Sequence, residues 1–207
     1  MLPPGQKPYD LALQIGLDAL VESPPSKATL EALGARRKDN VIFVPALNRV
    51  LLVDLLRRDV FVEGNGKAKR KWAVLCVHYL ASKDVSVDSR EMTFNRFLDA
   101  QSYGIVYQKR IIGRFLATSG RTAEQFIKLS EELGGERLPE PGVRYRFFIL
   151  PRVPVILVRY EGDEEIGPGA NVIYQADVEH LLPAEDRVVS AELLLDALSG
   201  VDMMEPS

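Results

Sequence analysis

Three arginines carry the most specific chemical signal in the chain. Arg144, Arg146 and Arg159 lie in two apolar runs, VRYRFFIL and VPVILVRY, that meet at Pro151-Arg152. Branched and aromatic side chains favour a pleated, half-buried surface, so both runs read as strands. Pro151 pre-sets the backbone of a tight turn, and a two-residue connection returns the chain antiparallel. Pairing Leu150 with Val153 and counting outward sets Arg144 opposite Arg159, with Arg146 beside Leu157 on the same face. The other face, Val143, Tyr145, Phe147 and Ile149 with Pro154, Ile156, Val158 and Tyr160, is apolar and must be covered. Like charges opposed across a strand pair destabilise it by up to about 1 kcal/mol, so this register calls for an anion among the three guanidiniums. The ordinary source is internal, since Glu161, Asp163, Glu164 and Glu165 follow at once. An external phosphate or carboxylate is the alternative, and it would make the Arg-bearing face a ligand site. A one-residue change of register dissolves the arrangement.

The same four carboxylates, with Asp177, Glu179 and His180 beyond them, are the nearest approach to a cation or acid/base cluster. The calcium-loop spacing Asp-x-Asp-x-Asp-Gly is absent, and an acidic connection between strands is ordinarily solvated. A carboxylate enzyme with its site near 161–165 is the rival functional reading, because acid/base pairs assemble in space and leave no sequence signature. Other catalytic patterns fail. His78 and His180 are the chain's two histidines and there is no Gly-x-Ser-x-Gly elbow. Cys76 falls on an apolar helix face with Trp72, Leu75 and Tyr79, which reads as core, and His78 lies too far round that helix to share a metal with it. The basic stretch GNGKAKRK, Gly64 to Lys71, leads into the same helix but satisfies neither the P-loop nor the dinucleotide fingerprint, so it reads as a solvated loop. No metal site and no identifiable cofactor follow from the sequence.

The elements that must position these residues can be read in order. Tyr9, Leu13, Leu17 and Leu20 share a helix face, and Ser26 caps a short helix that stops at Gly34. The runs 40–44, 49–53 and 59–63 are spaced as a three-strand meander. After the Trp72 helix, Asp88 and Glu91 predict a capped helix carrying Met92, Phe94, Phe97 and Leu98. Ile111, Ile112, Phe115 and Leu116 predict another, with Arg110 and Arg114 on its solvated side. Thr122 and Gln125 start a third, which ends at Gly134-Gly135. The hairpin, a last strand at 171–175 and a helix with Val188, Ala191, Leu195 and Leu198 follow. The expected fold is therefore α+β: a mainly antiparallel sheet from the N-terminal meander plus the C-terminal hairpin and one further strand, with helices packed on it. One domain over 1–207 is expected, with loose ends at about 1–7 and 201–207.

At 23.1 kDa, 46% hydrophobic and 27% charged, the chain has an ordinary globular composition and needs no staple to bury a core. A net charge of -3 and a pI near 5.6 argue against general nucleic-acid or anionic-membrane binding, although local patches are not excluded by a total. A lone cysteine excludes a disulfide framework and suits a reducing compartment, so a cytoplasmic location is expected. No apolar run approaches the ~20 residues that span a bilayer, and MLPPGQKPYD lacks the apolar stretch of a leader.

From Arg90 onward several motifs stand together: SREM at Ser89 to Met92, ELGGE at Glu132 to Glu136, RFFILPRVPVILVRYEGDEE at Arg146 to Glu165, and ANVIYQADVEHLLPAEDRV at Ala170 to Val188. With WAVLCVHYLASKD after the strand-like runs, they resemble a family catalogued as domain of unknown function 3786. The resemblance implies no catalytic residues. Some relatives are thought to carry cysteine-rich iron-sulfur segments, which this chain lacks, so a redox role would need a partner protein. DAQSYGIVYQK, Asp99 to Lys109, departs from the family's aromatic, Pro-containing stretch. The expected function is that of a soluble, non-catalytic accessory or binding protein, which recognises an anionic small molecule or a protein partner through the Arg-bearing sheet face.

Overall fold

In the computed structural model of the protein, which describes residues 7–64, 66–163 and 165–206, α1 (Lys7–Glu22) buries Leu13, Leu17 and Leu20. It lies along α3 (Arg70–Leu80), and a Cβ on Gly16 would stand 2.4 Å from Val77 Cγ1. Only glycine lets the two helices approach this closely. Between them α2 (Lys27–Ala32) begins as its sequence dictates, with Ser26 Oγ accepting from Thr29 N, and it ends where Gly34 takes a φ of +65°.

Two antiparallel sheets follow from the two strand groups. The first has the order β1-β2-β3-β4: β1 (Arg36–Lys38), β2 (Val41–Ala46), β3 (Arg49–Asp54) and β4 (Asp59–Val62). Alternate residues Ile42, Val44, Leu51, Val53, Val60 and Val62 join Trp72, Leu75, Cys76 and Tyr79 of α3 in the core. The second has the order β5-β9-β8-β7-β6: β5 (Glu91–Thr93), β6 (Glu136–Leu138), β7 (Val143–Leu150), β8 (Val153–Tyr160) and β9 (Gly169–Gln175). The sheets meet where Leu47 N donates to Phe148 O at 3.1 Å. The fold is α+β with antiparallel sheets, as expected. The two strand groups, however, form separate sheets rather than one, because the hairpin finds its neighbours in β6 and β9.

Two local expectations give way to long-range pairing. Glu91–Thr93 is a strand on β9, not the first turn of a helix, and the Asp88 carboxylate accepts from Arg90 N and its guanidinium instead of capping one. Two short 3-10 turns follow, Phe94–Arg96 and Leu98–Tyr103, then α4 (Gly104–Tyr107), a π-helical turn Gln108–Gly113 and α5 (Arg114–Ala117). Phe94 stacks on Tyr107 with centroids 4.0 Å apart, and the Tyr107 and Tyr174 hydroxyls lie 3.0 Å apart in the core. α6 (Ala123–Glu132) starts with Thr122 accepting from Gln125 N.

Short α7 (Val178–Leu181) and the closing helix α8 (Ala184–Leu198) complete the chain. α8 is clasped by ions. Lys71 and Arg110 both reach Glu192, at 2.9 and 2.7 Å, and Arg114 reaches Asp196 at 2.5 Å, so the Arg110–Arg114 face is engaged rather than solvated. Burial opposes ionisation of Glu192, but Arg110 and Lys71 hold its carboxyl below the usual range. His78 Nδ1 meets Asp186 at 2.6 Å, and this bond raises the histidine's pKa. In the tail Met203 is buried and its carbonyl accepts from Lys69 N, while residues 1–6 and 207 of the expected loose ends lie outside the described residues. Arg70, the first residue of α3, meets Asp10 of α1 at 2.6 Å, Asp59 of β4 at 3.1 Å and Glu205 of the tail at 3.7 Å.

Candidate functional site: the outer faces of the two sheets

The turn at Pro151-Arg152 and the pair Leu150–Val153 are as the sequence predicts, but a β-bulge between Phe148 and Leu150 shifts everything beyond it. Phe148 pairs with Pro154, Arg146 with Ile156, Arg144 with Val158 and Val143 with Arg159. The extra residue lets both Ile149 and Leu150 be buried, which a strict alternation forbids. The opposed guanidiniums are therefore not formed. Arg144 and Arg146 stay on the outer face, whereas Arg159 moves to the core face with Tyr145 and Phe147.

Each arginine has a carboxylate within the chain. Arg159, 4% exposed, donates through Nε to Gly120 O at 2.9 Å and pairs with Glu161, which pins the connection between α5 and α6. Arg146 meets its cross-strand neighbour Glu136 at 3.1 Å. Arg144 on β7 meets Glu91 on β5, at the far edge of the sheet, at 2.9 Å. Three strand spacings span about 14 Å in a flat sheet, so this sheet curls toward its outer face and the pair passes over β8 and β9. Beneath it Ile156 and Val158 are 2% and 0% exposed. That face closes itself with its own side chains.

The acidic segment is an exposed turn. Asp163 Oδ1 accepts from Glu165 N at 3.0 Å and from Ile166 N at 2.7 Å, and these bonds lower its pKa. Glu165 stands in solvent and Glu164 lies outside the described residues. Asp177 is elsewhere and buried, held by Arg152 at 2.7 Å. The same guanidinium donates to Ala32 O, Val85 O and Ser86 O, at 3.3, 3.1 and 2.8 Å, so the turn arginine is a structural tie between three segments. Cys76 is wholly buried, which pushes its thiol pKa up and keeps it an inert core residue. Among the described residues no group of three or more His, Cys, Asp or Glu could hold a metal ion, and no helix is long and apolar enough to cross a membrane.

The outer face of the first sheet is different, and the sequence reading missed it. The ladder sets Arg36, Phe43, Leu52 and Phe61 in one row across all four strands. The three apolar members are half-buried and take no part in the core cluster. A guanidinium lies over each ring, Arg36 at 4.2 Å from the Phe43 centroid and Arg57 at 5.7 Å from that of Phe61. Among the described residues Arg36, Arg37 and Lys38 have no carboxylate in ion-pair reach, and Arg37 Nε donates to Asp39 O. Asn40 O accepts from Leu55 N, so alternate residues of β2 bond to β3 and the rest to β1. By that alternation the Arg37 N–H and C=O point away from the sheet. A groove of about 420 Å³ beside this edge is lined by Lys27, Leu30, Arg36 and Arg37 and by the acids Glu31 and Asp39, with Lys27 3.8 Å from Glu31.

The net charge of -3 hides how the charge is distributed. Residues 36–71 hold ten Lys or Arg against four Asp or Glu, a local +6 that leaves -9 for the remainder. Three of those ten, Arg36, Arg37 and Lys38, belong to this site, whereas Lys67, Arg70 and Lys71 are paired at the start of α3; the row of side chains was not legible, since it exists only once four strands are paired.

No curated protein and no solved structure matches the chain. A family model described as Domain of unknown function (DUF3786) matches residues 26–197, which takes in both sheets and, among the described residues, the helices from α2 to all but the last residue of α8. By that match over most of its length, the chain belongs to this family of unknown function.

Proposed function

We propose that this is a binding protein with no catalytic centre of its own, and that it engages an anionic partner through the outer face of β1–β4. The observation that carries this reading is the set Arg36, Arg37 and Lys38, three adjacent cations without carboxylate partners among the described residues, on the open edge of a sheet whose outer row carries two arginine-capped phenylalanines. Arginine and aromatic side chains are the types enriched where surfaces recognise partners. Cations on an edge strand also deter pairing between copies of the same chain, and that ordinary role is compatible with attraction of a negative partner. The originally expected site, Arg144, Arg146 and Arg159, supports recognition less well, because each guanidinium is neutralised internally and one is buried.

Heparin, a flexible polyanion without aromatic groups, tests the reading. The protein should bind it at low ionic strength and release it as salt rises. Arg36→Glu with Lys38→Glu should weaken binding at least tenfold, while Arg144→Glu with Arg146→Glu, on the self-paired sheet, leaves it close to unchanged. Equal binding by the first pair of variants, or none by the native protein, would reject the assignment.

A further inference from the structure

We infer that the anionic partner is a single-stranded nucleic acid, with one base stacked on Phe43 and another on Phe61. This rests on the outer face of β1–β4 being the binding surface and deepens that reading. The two rings stand two strand spacings apart, about 10 Å, in one row across a four-stranded sheet whose outer residues lie outside the core. Every base has a π-face, so aromatic platforms hold single strands with little regard to sequence, and guanidiniums beside the rings add cation–π contact. Phosphates joining such bases would run past Arg36 and Arg57 beside the rings and past Arg37 and Lys38 on β1. A duplex hides its base faces and cannot use the rings.

A guanidinium over an exposed phenylalanine is often only a shield for the ring. Here both rings carry one, both lie on the same sheet face, and the nearest edge holds cations that no carboxylate among the described residues neutralises. An acidic protein surface could use those cations but would have no need of paired rings at this spacing. The expectation from net charge that nucleic acid is not a general partner does not bear on the adjacent edge cations Arg36, Arg37 and Lys38.

Fluorescence anisotropy with labelled oligo-dT and oligo-U of about ten nucleotides, within the usual range of ~4–16 per single-strand site, tests the inference. Either strand should bind at least tenfold tighter than a duplex of the same length. Log K should fall with log salt at about 0.7 per phosphate neutralised, a slope near -3 for four contacts. Phe43→Ala and Phe61→Ala should each weaken oligonucleotide binding about fivefold or more without changing heparin binding, and Phe43→Trp should retain it. Both rings lie outside the core, so these variants should fold, which near-UV circular dichroism checks. If the alanine variants bind oligonucleotides as the native protein does, or if duplex binds as tightly, stacking is overturned. Heparin binding that survives this result would leave an acidic protein as the partner class, whereas loss of both ligands would remove the binding surface itself.

Discussion

The two sheets each show arginine and aromatic side chains on the side away from the helices, yet they resolve their charges in opposite ways. On the C-terminal sheet Arg144 and Arg146 are held by Glu91 and Glu136, and the curl of the sheet brings one pair together over β8 and β9. On the N-terminal sheet Arg36, Arg37 and Lys38 meet no carboxylate among the described residues, and the Arg36 and Arg57 guanidiniums rest on rings, Arg57 lying also 3.6 Å from Asp54. Arginine on a strand therefore says little by itself. What separates a structural tie from a recognition group is whether the chain supplies its counter-ion.

That distinction can be broken by stability measurements, since closed charges should matter to folding and open ones should not. The largest effect is expected at Arg152, whose removal leaves Asp177 as a buried charge without a partner and three carbonyls without their donor. Arg152→Ala should cost about 3–5 kcal/mol in urea unfolding. A loss under ~1 kcal/mol would show that the hairpin turn is not tied this way.

The His78–Asp186 contact is a closed charge that pH can open. The folded pKa of His78 lies above its ordinary 6.5, so its contribution to stability is fully present below the unfolded pKa and fades as pH rises through the folded one. His78→Gln should flatten that part of the stability profile, and an unchanged profile would refute the assignment. Arg144→Ala, on a self-paired but partly solvated face, should cost roughly 0–1 kcal/mol. Smallest of all, Arg36→Ala and Lys38→Ala should stay within about 0.5 kcal/mol of the native protein while weakening polyanion binding. A substantial loss of stability in these two would erase the contrast between the sheets.

How far the sequence reaches depends on the range of the forces involved. Caps at Ser26 and Thr122, the stop at Gly34, the core position of Cys76 and the Pro151-Arg152 reversal are set by neighbours a few residues away, and all were legible. The bulge was not, because it arises from packing both Ile149 and Leu150 against distant parts of the core, and it moved Arg159 to the other side of the sheet. Strand β1 escaped notice because RRK has no apolar alternation and pairs only by virtue of β2. Glu91 read as a helix start and became an edge strand for a similar reason, since its partner Gln175 lies far along the chain. The candidate site shared this fate: its rings belong to different strands, and nothing local marks them as neighbours.

The junction at Arg70 has a practical corollary for anyone trimming this protein to its family limits. A cation at the first position of a helix faces the positive end of the macrodipole, and Lys69 and Lys71 stand beside it. Asp10 and Glu205, two of the three acids that quiet this crowding, lie outside residues 26–197. A fragment cut to that span keeps Asp59 alone as counterweight and strips α1 from Val77, so its first turn of α3 should fray where the longer chain holds firm.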